Sequence, residues 1–366
     1  MNSQLWKPTF LNPFQINKKG WNVIDRLENQ LEELFLLRHP PYRFQKNFGK
    51  DFQKWKNVFL GNKTIHQIGK WVYYPWLDQT IHYLDESEHQ EIRTGRNRFL
   101  ITDTEQKKFY QAKIGILGLS VGSHAALTIT MTGGSKYLKL ADPDVISGSN
   151  LNRIRSPFST VGLNKAVSVA RQIVEINPYA KLTLYTEGLL ESNIEKFLLK
   201  PKIDILIEEM DNLYLKIRVR EIARKHGIPV IMAADNGDNA VIDVERYDLD
   251  AHYPILHGLL GSIMANDFKK IKPQAFPKLI GKVAAGKFST LRMLQSVMAV
   301  GKEIYSWPQL GNAATLCGSV LTYLARKIIL GERIKSGRTN LNIDKIFCHF
   351  PPSYEKERQL LLKKIL

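Results

Sequence analysis

Across the middle of the chain, short apolar runs alternate with amphipathic stretches. Residues 113–119 form a continuous apolar run ending in glycine and serine, the signature of a strand buried on both faces. Residues 121–131 read as a helix, 137–141 as a second strand and 164–176 as a helix stopped by Asn177-Pro178. Further strands are predicted at 181–185, 204–207 and 229–233, with a helix at about 213–226 between the last two. This alternation predicts an α/β fold, a doubly wound, mainly parallel Rossmann-like sheet. Beyond Asn239 the pattern loosens. Residues 240–246 read as a strand, 253–307 as irregular chain rich in Gly and Pro, and 311–330 as a long apolar helix.

The first 95 residues have a different texture. They hold Trp6, Trp21, Trp55, Trp71 and Trp76, five of the six tryptophans. Residues 27–37 carry apolar positions at helical spacing and run up to His39-Pro40-Pro41, where proline ends a helix. Residues 71–76, Trp-Val-Tyr-Tyr-Pro-Trp, suit a short strand or an aromatic segment docked on a neighbouring domain; a ligand-stacking platform is the less common use of such a run. An aromatic-rich, partly helical N-terminal extension is therefore expected at 1–95.

Composition narrows the class. The 366 residues are 44% hydrophobic and 24% charged, ordinary globular values that exclude disordered and collagen-like chains. Two cysteines cannot make a disulfide framework, nor supply the ligands of a structural zinc site. No uncharged apolar run approaches the ~20 residues of a membrane span, and the first 14 residues lack the apolar core of a signal peptide. A cytoplasmic protein without a membrane role is expected. The net charge of +17 suits an anionic partner, or simply a lysine-rich solvated surface, since the basic residues are scattered.

Candidate chemistry clusters at strand ends. The first strand of the alternating region runs into Gly118-Leu119-Ser120-Val121-Gly122-Ser123, where glycines let backbone approach a phosphate on a helix N-terminus. Ser120 and Ser123 stand where the second and third glycines of the dinucleotide fingerprint would be. The next strand ends in Asp142-Pro143-Asp144, a carboxylate placed for ribose hydroxyls in NAD and ATP alike. Then come Ser149-Asn150-Leu151-Asn152-Arg153, Val161-Gly162-Leu163-Asn164-Lys165 and, after the 204–207 strand, Glu208-Glu209-Met210-Asp211-Asn212. Together they offer an arginine and a lysine for a triphosphate and an acid for magnesium, a set that hydride transfer does not need.

On these motifs the chain resembles the ThiF/MoeB/ubiquitin-activating-enzyme superfamily of ATP-dependent adenylyltransferases, over about 96–237 and the helix near 311–331. The resemblance implies an adenylation domain at 96–335, with a crossover and substrate region at about 237–310, and a C-terminal tail at 336–366. It implies that Gly118, Ser120 and Gly122 form the nucleotide-binding turn and that Asp142 binds ribose. Asn150 and Arg153 would contact phosphates with Lys165, and Asp211 would hold Mg2+. Arg98, in Arg96-Asn97-Arg98, would reach the ATP of a partner subunit in a homodimer. The implied reaction joins a carboxylate to the α-phosphate of ATP, releasing pyrophosphate and leaving an acyl-adenylate. A carboxylate needs no deprotonation near pH 7, so positioning and charge neutralisation are what such a site must supply. The implied acceptor is the C-terminus of a small ubiquitin-like protein or peptide, or a small-molecule carboxylate; a tRNA-borne carboxylate is open but not favoured.

Three features set the chain apart from much of that superfamily. Its glycine turn is poorer, its zinc-binding Cys-x-x-Cys pairs are missing, and no cysteine lies between Asp211 and the 311–330 helix. No zinc and no enzyme thioester are therefore expected, with Cys317 and Cys348 read as structural thiols. A non-catalytic scaffold subunit and an NAD-dependent oxidoreductase stand as alternatives. The second leaves Arg153, Lys165 and Asp211 unexplained. Residues 281–287, Gly-Lys-Val-Ala-Ala-Gly-Lys, mimic the start of a P-loop but continue with Phe288 and follow no clear strand, so a basic loop is expected there. His124, early in the helix after the glycine turn, stands within reach of a phosphate, although a lone histidine there is more often incidental.

Overall fold

The computed structural model describes residues 6–13, 16, 22–45, 47–272, 275–284 and 286–365, and the side chains of all but Lys269 and Pro277 among them. Trp21, Ala285 and several of the first 14 residues lie outside this set. The chain divides into two compact units.

The first unit gathers the described residues as far as Lys107, with Thr130–Gly133 and Ala170–Ala180. It contains β1 (Thr9–Leu11), β2 (Asn22–Ile24), α1 (Leu27–Arg38), α2 (Gly49–Leu60), β3 (Lys70–Tyr74), β4 (Gln79–Tyr83) and α3 (Glu86–Thr94). The strands form one sheet in the order β1-β3-β4-β2. Leu27, Leu31 and Leu34 recur on one face of α1 and are buried with Phe35, Phe52 and Leu84. The Phe35 ring packs against Tyr42, Phe52 and Trp55 at centroid distances of 5.1, 5.8 and 5.6 Å. The 71–76 run supplies most of β3, with Trp71 and Tyr74 buried. Trp71 stacks on His82 at 3.8 Å. The aromatic excess thus builds this unit's own interior.

The second unit starts within α4 (Asp103–Gln111). There follow β5 (Lys113–Leu117), α5 (Val121–Met131), β6 (Tyr137–Ala141), α6 (Lys165–Ile176), β7 (Lys181–Tyr185), α7 (Ile194–Leu199), β8 (Ile205–Glu208), α8 (Leu213–Lys225), β9 (Val230–Asn236) and β10 (Asn239–Glu245). The last elements are α9 (Phe276–Val283), α10 (Leu291–Ala299), α11 (Gly311–Leu330), β11 (Gly337–Leu341), α12 (Asp344–Phe347) and α13 (Pro352–Ile365). The sheet order is β11-β10-β9-β8-β5-β6-β7. The five strands from β9 to β7 are parallel, while β10 and β11 are antiparallel additions at one edge. From β5 the chain first winds outward through β6 and β7, then returns to place β8 and β9 on the other side. The strand order therefore reverses between β5 and β8, and the crevice beyond their carboxyl ends is where such sheets bind ligands.

This is the doubly wound fold expected. Several elements match residue for residue, because continuous apolar runs bounded by glycine or polar turns leave little choice of register. The differences have physical causes. β9 extends to Asn236 because Gly237, at φ +67°, allows a two-residue hairpin into β10. The 253–307 stretch, read as irregular, contains α9 and α10. Residues 281–283 end α9, so a helix precedes the P-loop lookalike and that motif is excluded. β11 and α13 stand where the sequence suggested only a tail.

By length and composition α11 is the one candidate membrane span among the described residues, but half of it is buried within the protein, as in a core helix. Cys317 lies on it, fully buried, with its thiol pushed up by burial. Cys348 is exposed, which corrects its reading as a structural thiol, since the short α12 leaves it at the surface.

Candidate functional site

The turn after β5 is held from two sides. Gly118 N–H donates to the Ala141 carbonyl at 2.9 Å, and Glu209 N–H donates to Leu117 at 2.7 Å. Gly118 has φ +79°, and a Cβ there would lie 2.5 Å from the Glu209 carbonyl oxygen. Only glycine fits, because the chains leaving β5 and β8 touch at backbone level. Ser123, in the third glycine position, is buried and donates its hydroxyl to the Ser120 carbonyl at 2.7 Å. Gly122 packs its Cα over Ile116.

Asp142, at the end of β6, is only 4% exposed. Its Oδ2 accepts Leu119 N–H at 2.6 Å and its Oδ1 accepts Asp144 N–H at 2.9 Å. One carboxylate thus fixes both the phosphate-type turn and its own loop. Burial raises its pKa, against the pull of Lys165 and these two amides. Asn164 caps α6 by accepting Ala166 N–H at 2.9 Å, which places Lys165 first in the helix. The Lys165 ammonium lies 2.8 Å from Asp144 Oδ2 and 4.0 Å from Asp142 Oδ1. It is therefore already paired, mainly with an exposed acid that can release it.

Arg153 ends the turn of helix at Gly148–Asn152. Its guanidinium donates to Ser120 Oγ at 2.9 Å, Asn152 Oδ1 at 3.0 Å and the Ser149 carbonyl at 3.5 Å. These described partners are all neutral. Burial lowers its pKa while Asp235 and Asp211 support the charge from further off. A half-buried guanidinium facing neutral acceptors keeps its capacity for an anion. Asn150 uses its side-chain oxygen on Ser147 N–H at 3.1 Å, which shapes the turn. His124, buried on α5, turns its Nε2 to the Arg153 carbonyl rather than toward the crevice.

The acids lie on the β8 side. Asp211 is exposed, while Asn212 caps α8 by accepting Leu215 N–H at 3.0 Å. Glu209 accepts Ala233 N–H at 2.7 Å, and burial raises its pKa. Asp235, near the end of β9, accepts a 3.4 Å contact from Gln309, and its Oδ2 is buried without a described partner. Burial raises its pKa, and both Arg153 and Asp211 act on it. Behind these, Arg220 donates to Glu208 and, at 2.6 Å, to Glu245, while Lys216 lies 2.9 Å from Glu208. Glu208 in turn accepts Met210 N–H at 2.8 Å, so the buried ion network sets the start of the Asp211 loop.

Glu209 was visible in the sequence only as part of the 208–212 motif, without a role, and Asp235 and this network were not visible as site residues. Acids inside apolar strands, with Lys216 and Arg220 four apart on the buried face of α8, were the available signal. Arg98 belongs to the first unit, where it contacts the Leu37 carbonyl at 3.2 Å and Glu91 at 3.4 Å.

Among the described residues no three ligating side chains form a metal cluster. One exposed carboxylate, Asp211, nonetheless suits Mg2+, which takes one or two carboxylates and completes its shell with phosphates and water.

A switch-point crevice, a glycine turn, a buried acid after the second parallel strand and an arginine whose described partners are neutral mark a candidate ligand site on a protein of the doubly wound α/β class. The ThiF family profile matches residues 94–353, and the chain belongs to the ThiF family. It is 35% identical over 280 residues to the uncharacterized protein MT1398 of Mycobacterium tuberculosis, covering 76% of this chain and 38% of that protein. It is 27% identical to the tRNA threonylcarbamoyladenosine dehydratase of Escherichia coli, over 40% of this chain and 54% of that protein. With the sulfur carrier protein ThiS adenylyltransferase of Bacillus subtilis the identity is 26%, over 43% and 46%. The chain thus spans 38–54% of the length of these relatives. Among solved structures, TcdA (CsdL) matches with a TM-score of 0.51 at 20% identity, over 68% of this chain and 98% of that one. PaaA matches at 0.50 and 17% identity, over 70% and 83%. Both show the fold.

Proposed function

We propose that the chain is an ATP-dependent adenylyltransferase that activates a carboxylate as its acyl-adenylate. The observation that carries this reading is Arg153, a half-buried guanidinium whose hydrogen-bond partners among the described residues are all neutral, braced on Ser120 in the turn after β5. In this reading the turn from Gly118 to Gly122 receives the nucleotide, Asp142 accepts the ribose hydroxyls, and Asn150 borders the phosphates. Arg153 and Lys165 neutralise the phosphate oxygens, Lys165 by exchanging the exposed Asp144 for a phosphate. Asp211 holds Mg2+, which would supply further charge neutralisation at the phosphates. The substrate carboxylate oxygen forms a bond to the α-phosphorus as the bond to pyrophosphate breaks. No proton moves, so electrostatic positioning is the whole task.

The acceptor we favour is the C-terminus of a small carrier protein or peptide. Support comes from relatives, one of which is named for the sulfur carrier protein ThiS. The buried Cys317 suits a path without an enzyme thioester. In a homodimer Arg98 would serve the partner's ATP. The test is carboxylate-dependent exchange of labelled pyrophosphate into ATP, with peptide, small-molecule and RNA-borne carboxylates as separate arms. Exchange with a peptide C-terminus alone supports the favoured acceptor. No exchange with any arm while Mg-ATP binds favours the scaffold reading.

A further inference from the structure

Gly311, Thr315, Gly318 and Thr322 recur at intervals of four, three and four, so they share one face of α11. That face approaches Arg153 and its surroundings at backbone distance. A Cβ on Gly311 would lie 2.6 Å from the Asn152 carbonyl oxygen, and one on Gly318 would lie 2.3 Å from His124 Cβ. The Thr322 hydroxyl lies 3.4 Å from the Ala125 carbonyl.

His124 sits at the centre of this junction and is 2% exposed. Its Nε2 bonds to the Arg153 carbonyl, and its Nδ1 lies 3.4 Å from Thr315 Oγ1. A carbonyl only accepts, so Nε2 carries the proton. Arg153 itself stands at the exit of a short helical turn, at φ −142° and ψ −18°, where its N–H closes the turn on the Asn150 carbonyl at 3.0 Å and its own carbonyl is held by His124. Its side chain is long, so a small backbone rotation would move the guanidinium far from a phosphate.

We propose that His124 is the positioning residue of the anion site. Its Nε2–H clamps the Arg153 backbone against α11, so that the guanidinium reaches its anion from a fixed base. The inference rests on the reading that Arg153 binds a phosphate of ATP. It gives a use to a histidine beside the phosphate turn that points away from the phosphate.

The test compares wild type, His124→Gln, His124→Leu and Arg153→Ala by calorimetric titration with Mg-ATP, each with its thermal midpoint. Glutamine keeps an N–H donor within reach of the Arg153 carbonyl, and leucine keeps bulk without a donor. The expected result is a dissociation constant raised about tenfold in His124→Leu, as loss of one buried hydrogen bond would give, with His124→Gln within about threefold of wild type. Should His124→Leu fail to fold, His124→Asn takes its place, since its shorter amide cannot span to the carbonyl, and the same loss is expected. Wild-type affinity in the donor-free variant, with Arg153→Ala weakened, overturns the role of His124 and leaves the site reading standing. Equal losses in His124→Gln and His124→Leu also overturn it, because packing alone would then explain both. Undiminished binding by Arg153→Ala, or no binding by wild type, overturns the site reading and this proposal together.

Discussion

Arg153 Nε donates to the hydroxyl of Ser120 at 2.9 Å, across 33 residues of chain. The serine that replaces a glycine of the dinucleotide fingerprint is thus a brace for the arginine. Removing the hydroxyl in Ser120→Ala leaves the guanidinium with one side-chain acceptor among the described residues, Asn152. The expected outcome is a three- to tenfold weaker affinity for Mg-ATP, about 1 kcal/mol, with the unfolding midpoint nearly unchanged. Titration of Mg-ATP against both proteins checks this.

Gly118→Ala is expected to cost about 3 kcal/mol or more. The residue has φ +79°, and the new Cβ would meet backbone of Glu209 at 2.5 Å, an atom that cannot move without shifting β8 from β5. Gly148→Ala is the control, having open space around it and no positive φ. Urea midpoints of the two variants are expected to separate clearly, with Gly148→Ala near wild type.

Arg220→Met is expected to destabilise the second unit by about 3–5 kcal/mol, because it leaves Glu208 and Glu245 buried without their shared cation. Burial pushes the Glu208 carboxyl up, but Lys216 and Arg220 outweigh it and hold it below its ordinary range. A double variant that also carries Glu245→Gln, leaving Glu208 to Lys216, is expected to lose less than the single variant. Denaturant titration of both tests this, and equal losses would contradict a charge-based role.

The first unit contains an acid-sensitive group. Burial and the nearby Arg93 lower the His89 pKa from 6.5 to about 4. The folded state therefore binds fewer protons than the unfolded chain between these values. Stability from this group is fully present above pH 6.5, falls as pH drops from 6.5 toward 4 and levels off below 4. At pH 5 the loss is about 2 kcal/mol. Comparison of urea midpoints at pH 7 and pH 5 is expected to show this slope in wild type and a shallower one in His89→Asn.

How much of this was legible in the sequence depended on burial. β5, β6, β8, α5 and α11 follow from apolar runs between breakers, and Gly118, Asp142 and Asp211 come just after the ends of β5, β6 and β8. β11 is polar and lies at a sheet edge, and β1 and β2 have three residues each, so no period could reveal them. α9 and α10 lie in a stretch whose glycines and prolines read as loop. Asp235 stands 24 residues from Asp211 and joins it only through the pairing of β8 with β9. Ser120 and His124 were visible, but their orientation toward Arg153 is a tertiary fact.

In the proposed function the crevice between β5 and β8 binds ATP through Arg153. The most direct measurement is calorimetric titration of wild type and Arg153→Ala with Mg-ATP and with NAD. Wild type is expected to bind Mg-ATP and not NAD, and Arg153→Ala to bind Mg-ATP at least about tenfold more weakly, a loss of about 1.4 kcal/mol. Binding of NAD without Mg-ATP, or equal Mg-ATP affinity in the two proteins, would contradict it.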